Sequence, residues 1–569
     1  MLARLLLPIL VCTCLLGLAV PAAGAATVMH VRAGAGQEGD GSAEQPFRTI
    51  GEAVAIARED DVILVHSGTY RETVELTSQH RGVALRGVGG SRPVIDGENE
   101  RLWGLSVRRA DDVRFENFEV TSQVENGVRV YADGFSATGN YVHGIGSHGT
   151  KTCAGFWIAT GSGNAIRSNI VHSIGPGGEC IGIWLLQARD SAVSDNVVYL
   201  VRKEGIRDWM GLNNRITDNR VFLNWAGISL ATSTGSLVMN NYVYDNVEGL
   251  VAKHTSHARV LAHWMLDRGH WSRFWHNTVF RSTEASVWIA QSGAPMDYLD
   301  VRNNIFHRTG AAYVRDAPEI RGDHVVVDGN LYGREGRSGQ PPMYEMGWSD
   351  RGGLTSLAGY RSALGWESSG MRFRPPLADP AAGDLDYPDS SRLARGSLPL
   401  DSPLGRQLGA RGLSPASVRW TPYAMRAVDS SSRGTWWTKH RLRATADGDH
   451  STYWLTESNR NEHVTYDLGR RRRFNTAVLA VYRHEDPRNT RRYRFEYSKD
   501  GRRWRPLLEG ANPDAAGSSY KYAFPKTIRA RFLRYTMIDS FCKSDAERRC
   551  DEYFVLSDLA VGLLARRPD

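Results

Sequence analysis

Lys253 and His254 stand at the head of an unusual run. Between Thr255 and Phe274 the chain places His257, Arg259, His263, Trp264, Asp267, Arg268, His270, Trp271 and Arg273. Histidine and lysine can move protons, arginine forks hold carboxylates or sulfates, and indole faces stack on sugar rings. A second set is spread more widely: Arg129, Trp157, Trp184, Arg207 and Trp288, with Trp209 two residues beyond Arg207. Stacking rings alternating with anion clamps suit an extended polysaccharide track. Glu204 and Glu248 add the two carboxyl groups that a hydrolase sets on either side of a glycosidic bond.

These residues are distant in sequence, so a repeating scaffold must bring them together. Asn-x-[Val/Ile/Phe] recurs at Asn140, Asn169, Asn196, Asn219, Asn241, Asn277 and Asn304, with looser copies at Asn117 and Asn330. A glycine series trails it: Gly127, Gly155, Gly182, Gly205, Gly227 and Gly249, each followed by a short β-type run. A unit of about 25 residues with short alternating strands cannot bury its apolar face alone, so coils must stack at about 4.8 Å into a solenoid. Alternation then sends Val128, Phe156, Ile183, Ile206, Ile228 and Leu250 inward. Arg129, Trp157, Trp184, Arg207, Ser229 and Val251 go outward to solvent, where large rings in a row imply a ligand. A second outward row reads Tyr131, Ala159, Leu186, Trp209, Ala231 and Lys253. Asp208 falls inward, and Glu204 and Glu248 share a register two coils apart, roughly 9.6 Å. The recurrent Asn is expected to stack as an amide ladder at the turn. Cys153 and Cys180 each lie two residues before a series glycine, so adjacent coils should bring them within disulfide reach. After Lys253 the spacing of the Asn series jumps from 22 to 36 residues, and that insertion, facing the Arg207 coil, is where chemistry is expected.

The opening block, Val31-Arg-Ala-Gly-Ala-Gly, Asp40-Gly-Ser, Pro46-Phe-Arg-Thr-Ile and Asp61-Val-Ile-Leu-Val-His-Ser-Gly-Thr-Tyr70, resembles the start of pectate-lyase-like right-handed parallel β-helix proteins. The resemblance covers the N-terminal cap and, through the repeats, extends to about residue 335. It implies a capping helix, for which Ile50, Ala53, Val54 and Ala57 have the spacing. It also implies β-elimination on a uronate, which needs a base and a cationic or metal clamp for the carboxylate. On that reading Lys253 is the base, Arg207 the clamp and His254 the proton donor, with Arg129, Trp157, Trp184, Trp209, Trp288 and Gln291 lining the groove. Related lyases commonly use calcium, but no ligand cluster is distinctive here, and the cofactor stays open. Hydrolysis by Glu204 and Glu248 and an exported binding or matrix protein without catalysis remain as alternatives.

Residues 336–415 lose the repeat and are rich in Pro, Gly, Ser and Asp. Leu357 to Trp366 reads as a short helix, and Arg374 to Pro415 as a strap covering the exposed C-terminal edge of the solenoid. Residues 416–569 carry 30 basic against 19 acidic side chains, whereas the chain as a whole is only +8. The remainder is therefore slightly acidic, and one domain holds the attraction for polyanions. Val464-Thr-Tyr-Asp-Leu-Gly469, Tyr493-Arg-Phe-Glu-Tyr-Ser-Lys-Asp-Gly501 and Ala530-Arg-Phe-Leu-Arg-Tyr535 resemble, in this order, the discoidin or coagulation-factor C-type β-sandwich. That family implies carbohydrate binding through loops at one end, with Trp436, Tyr482, Arg483, His484 and Arg488 as candidate contacts and Trp437 beside them. Cys542 and Cys550 are expected to pin a charged loop.

Residues 1–26 have the basic, apolar and small-residue regions of a cleaved signal peptide, and no later run is long enough to span a bilayer. The fold expected is all-β: residues 27–335 a right-handed parallel β-helix with its cap, 336–415 a linker, 416–569 a discoidin-like sandwich. A monomer secreted or periplasmic, binding acidic polysaccharide and not nucleic acid, is the functional expectation.

Overall fold

The glycine and asparagine series mark corners between walls of a coil. The computed structural model describes residues 26–566, apart from 147–151, 176–178, 255–270, 292–298, 310–311, 317–324, 334–343, 347–355, 381–383, 389–390, 392, 394–399, 401, 403, 405, 414–417, 433–441, 447–452, 481–487, 513–518 and 543–553. Each coil gives one strand to each of three parallel sheets of 12, 11 and 12 strands. In chain order the first wall starts at Val28–Val31 and Val62–His66, the second at Thr69–Tyr70 and Val94–Asp96, and the third at Val74–Leu76 and Trp103–Arg108. The third wall is the 11-stranded one and continues through Asn126–Tyr131, Thr152–Ala159, Glu179–Leu186, Glu204–Trp209, Ala226–Ala231, Glu248–His254 and Ala285–Gln291.

The inward row aligns as expected: Val128, Phe156, Ile183, Ile206, Ile228 and Leu250 occupy matching positions and are fully buried. The glycine before each sits where the third wall folds against the second. A Cβ on Gly127, Gly155, Gly182, Gly205, Gly227 or Gly249 would lie under 3.0 Å from a valine methyl of the second wall, so only glycine fits. Cys153 and Cys180 are directly in register with Cα atoms 4.4 Å apart and form the expected disulfide.

At the corner between the first and second walls the asparagine amides form one directional chain. Asn140 Nδ2 donates to Asn169 Oδ1, and the pattern continues through Asn196, Asn219, Asn241, Asn277, Asn304 and Asn330 at 2.9–3.1 Å. Asn117 stands outside it, donating to the Gly87 carbonyl. The chain ends on a carboxylate: Glu367, fully buried, accepts from Asn330 Nδ2 and from the Tyr332 hydroxyl, each at 2.7 Å. Burial pushes this acid up to about 7 in spite of those hydrogen bonds.

The N-terminal cap is the helix Ile50–Ile56, started by a Thr49–Glu52 capping box and burying Ile50, Ala53 and Val54. Parallel pairing continues past residue 335, through Tyr344–Met346 on the third wall and Met371–Arg372 on the second. The helix Leu357–Leu364 forms where expected, ending at Gly365 with a φ of 69°.

The strap departs from expectation. Its described residues run along the outer flank of the second wall and, through Leu400 and Leu404, meet Leu237, Met239 and Trp275 of the first. Arg411 N donates to Asn240 Oδ1, Ala410 N donates to Thr278 Oγ1, and His276 bonds Gln407 O and Ser402 Oγ. Apolar side chains decide this course: Leu385, Tyr387, Leu393, Leu408 and Ala410 are buried against the outer wall.

The C-terminal unit is an antiparallel sandwich. Its seven-stranded sheet is built around Glu462–Ala480, Thr490–Ser498 and Ser519–Ser540, over a core that includes Tyr466, Phe495, Leu533 and Tyr535. It rests on the second wall through Val418 and Trp420. Lys521 Nζ donates to the Val201 carbonyl at 3.2 Å.

Candidate functional site

The third wall carries the residues singled out from the sequence, and its outer face has three columns. Column one reads Trp103, Asn126, Ala154, Ile181, Glu204, Ala226 and Glu248. Column two reads Ser106, Arg129, Trp157, Trp184, Arg207, Ser229, Val251 and Trp288. Column three includes Tyr131, Ala159, Leu186, Trp209, Ala231 and Lys253. The tryptophans do line up. Trp157 stacks on Trp184 at 5.4 Å between ring centroids, and Trp184 on Trp209 at 5.7 Å, with interplanar angles of 10° and 12°. The Arg207 guanidinium lies 4.7 Å from the Trp209 ring.

Their expected exposure is not observed. Trp184 is 4% and Arg207 6% exposed, and Ser229 and Val251 are fully buried. Alternation fixes which side of a strand a residue faces, not whether that side meets water. Trp157, Trp209 and Trp288 are half-buried. Trp288 meets Trp225 edge-on at 6.0 Å, and Lys203 Nζ lies 5.2 Å from the Trp225 ring.

The charges form a linked network. Lys253 Nζ donates to Glu204 Oε1 at 2.9 Å, reaching across the intervening coil. Arg207 Nη1 donates to Glu179 Oε2 at 3.0 Å, and Lys203 Nζ is 4.0 Å from Glu179 Oε1. Glu204 is 1% exposed; burial disfavours its charge, but Lys253 and Arg207 outweigh this and hold the carboxyl below its ordinary range. Glu248, the other acid of the expected hydrolytic pair, keeps the predicted register and is 2% exposed. Asp208 faces the core as predicted. It accepts from Ser236 Oγ and Asn214 Nδ2, and burial pushes it up to about 6.

Glu179, Lys203 and Trp225 were not anticipated. Lys203 directly precedes Glu204, which was a usable signal; Glu179 lies one residue ahead of the register used for the disulfide, where no repeat feature marks it. His254 and Gln291 are in backbone register on adjacent strands. The insertion is shorter than expected, because Ser272–Trp275 is a first-wall strand with Phe274 buried in the core. His257, Arg259, His263, Trp264, Asp267, Arg268 and His270 lie outside the described residues. So do Trp436, Tyr482, Arg483, His484 and Cys550, whereas Arg488 is half-buried just before the strand Thr490–Ser498, and Cys542 is disulfide-bonded.

Among the described residues no three His, Cys, Asp or Glu side chains are grouped to hold a metal ion. His30 Nδ1 and His66 Nε2 are 3.1 Å apart on the first wall. No helix among the described residues is long and apolar enough to cross a membrane.

Comparison with known families agrees with the two-part architecture. Residues 426–549 match the F5/8 type C domain, 103–285 match the family described as periplasmic copper-binding protein (NosD), and 33–77 match a protein family of unknown function, DUF1565. No curated protein matches the chain. Among solved structures, the family 32 carbohydrate-binding module of Clostridium perfringens NanJ, in complex with galactose, is 15% identical over 25% of this chain and 98% of its own, with a TM-score of 0.22. A fragment of a putative chitobiase from Bacteroides thetaiotaomicron is 17% identical over 27% of this chain and 97% of its own, with a TM-score of 0.23. The corresponding module of AlyQ, in complex with 4,5-unsaturated mannuronic acid, is 18% identical over 25% and 97%, with a TM-score of 0.20.

Proposed function

We propose that this is an exported protein that grips an acidic, uronate-containing polysaccharide on the outer face of the third wall and cleaves it by β-elimination. The observation that carries this reading is the Glu179 carboxylate, held by Arg207 and Lys203 beside the Trp157–Trp184–Trp209 stack. Its side chain is 52% exposed. A uronate carboxylate has the same shape and charge, so it can take the position of Glu179 against both cations while sugar faces meet the exposed parts of the indoles.

Elimination removes the proton alpha to that carboxylate, and Arg207 and Lys203 supply the positive charge that stabilises the enolate-like product of that step. Lys253 is the proton acceptor. In its neutral form it takes the alpha proton as the C4–O glycosidic bond breaks and passes that proton to the departing oxygen, while Glu204 Oε1, 2.9 Å from Nζ, fixes its position. In the rival hydrolytic reading Glu204, held in its ionised form, would be the base or nucleophile, leaving the buried Glu248 to supply the proton to the leaving oxygen. The sandwich supports binding, since residues 426–549 match the F5/8 type C domain and its basic excess suits a polyanion. Export is supported by the Cys153–Cys180 disulfide.

The test is a panel of polyuronates scanned for the ultraviolet absorbance of unsaturated chain ends. Absorbance that grows with the parent protein and is lost in Arg207→Gln and Lys253→Met is expected. Reducing ends without that absorbance would establish hydrolysis instead. Binding without either product would establish a non-catalytic protein, the reading that the Lys253–Glu204 ion pair itself favours.

A further inference from the structure

We propose a second oxyanion-binding site on the third wall, built by Trp103, Ser106, Asn126, Arg129 and Trp157, three coils from Arg207. It rests on the reading above in one respect, that the oxyanion belongs to the same polysaccharide chain.

Arg129 is the centre of the site. Its guanidinium lies 4.3 Å from the Trp103 ring centroid and 5.0 Å from that of Tyr131, so two aromatic faces fix its plane. It is half-buried, has no ion pair among the described residues, and its buried Nε has no hydrogen-bond acceptor. Arg207, in the same column, is held by Glu179. Glu75, in register with Ser106 on the coil before, is exposed and makes no ion pair with Arg129.

Four neighbours share this condition. Asn126 is fully buried with both Oδ1 and Nδ2 unpartnered, and Ser106 Oγ and the Nε1 atoms of Trp103 and Trp157 are also buried without partners. Register brings them together: Asn126 pairs with Trp103, and Arg129 lies between Ser106 and Trp157. Asn126 belongs to the outer face, because Ala154 and Ile181, its register mates on the next two coils, pack with Trp157 and Trp184 away from the main core.

Buried polar groups in native proteins normally have partners, and a concentration of exceptions marks a place where a ligand supplies them. The chemistry of that ligand follows from the donor count. Two indole N–H groups, an amide NH₂ and a guanidinium donate, whereas only Asn126 Oδ1 and the Ser106 hydroxyl accept. A donor-rich pocket around a fixed cation suits the oxygens of a carboxylate or a sulfate ester. At about 4.8 Å per coil, Arg129 and Arg207 are roughly 14 Å apart. A ligand engaging both must carry at least two acid groups, so the wall selects a polyanion several sugars long over a chain with a single terminal uronate.

The test uses the full chain, with tryptophan fluorescence and titration calorimetry, and polygalacturonate, its methyl ester, dextran sulfate and inorganic sulfate as probes. Arg129→Gln and Asn126→Asp are each expected to weaken polygalacturonate binding at least 10-fold, to leave methyl-ester binding unchanged and to keep the parent's thermal midpoint. Inorganic sulfate should perturb the parent's fluorescence and not that of Asn126→Asp. Dependence on Arg129 for dextran sulfate alone would identify a sulfate ester as the natural group. If Arg207→Gln loses polygalacturonate while both new variants bind it like the parent, the second site is absent and the proposed function stands. If all three variants bind like the parent, both readings fall. A parent that responds to no anionic probe overturns the second site directly.

Discussion

Two walls of this solenoid carry columns of aromatic rings on their outer faces, and the columns do different things. On the second wall His143, His172, Tyr199, Phe222 and Tyr244 stack at 5.1, 4.7, 5.1 and 4.7 Å. From Tyr199 onward the column is covered by Leu385, Ala410, Val418 and Trp420, so here rings serve to dock the strap and the sandwich. On the third wall the rings alternate with arginines, and the atoms left without partners include an amide, two serine hydroxyls and three indole N–H groups. On the second wall such atoms among the described residues include the phenol hydroxyls of Tyr242 and Tyr244. A column of rings therefore does not identify a binding face. What separates the two walls is the state of the polar atoms beside the rings.

The largest expected effect comes from the third wall. Arg207→Gln should lower turnover on a polyuronate, per folded molecule, by at least about 100-fold, because it removes the cation proposed to meet the developing charge; as Arg207 is 6% exposed and paired with Glu179, the thermal midpoint should fall as well. Phe222→Ala tests the opposite face. Truncating a fully buried ring should cost about 3–5 kcal/mol of stability in denaturant titration, while glycan affinity per folded molecule stays at the parent value. A binding defect in Phe222→Ala would blur the division between the walls. Cys153→Ala with Cys180→Ala should cost about 2–4 kcal/mol, read from the same titrations.

The smallest effect is a pH slope. Glu367 has its folded value pushed up to about 7, against an ordinary 4.5, by burial. The folded state therefore holds a proton that the unfolded state has lost between those values. Stability should fall as pH rises across that window, by on the order of 1 kcal/mol per pH unit. Asp208, pushed up to about 6, adds a component of the same sign at lower pH. Glu367→Gln should flatten the Glu367 component while keeping an acceptor for Asn330 Nδ2. An unchanged slope in that variant would assign the pH dependence elsewhere.

Much of the scaffold was legible because a solenoid writes its period into the chain. The glycine series followed from a corner with no room for Cβ, the asparagine series from amides that bond coil to coil, and Cys153 and Cys180 from shared register. The second-wall column was equally legible and was missed: His143, His172, Tyr199, Phe222, Tyr244, Phe280 and His307 each stand three residues after a ladder asparagine. The strap was misplaced because proline and serine content marks an extended segment without saying which surface its few leucines will meet. The site was harder still. Lys253 reaches Glu204 across two coils and from one edge of the strand to the other, a contact set by side-chain length that periodicity does not record. The burial of Trp184 and Arg207 depends on neighbours outside their own repeat.

The one-way chain of amides that ends on Glu367 has a consequence for how such a molecule can change in size. Each link needs only the same link before it and after it, and the terminal acid meets the last asparagine whatever their number. Whole turns can thus be duplicated or lost between Asn140 and Asn330 with both caps intact, so length is an adjustable dimension of this architecture. Because Arg129 and Arg207 belong to different turns, such an event between them would move the two guanidinium groups apart or together by one fixed increment, whereas one beyond Arg207 would lengthen the wall and leave their spacing unchanged.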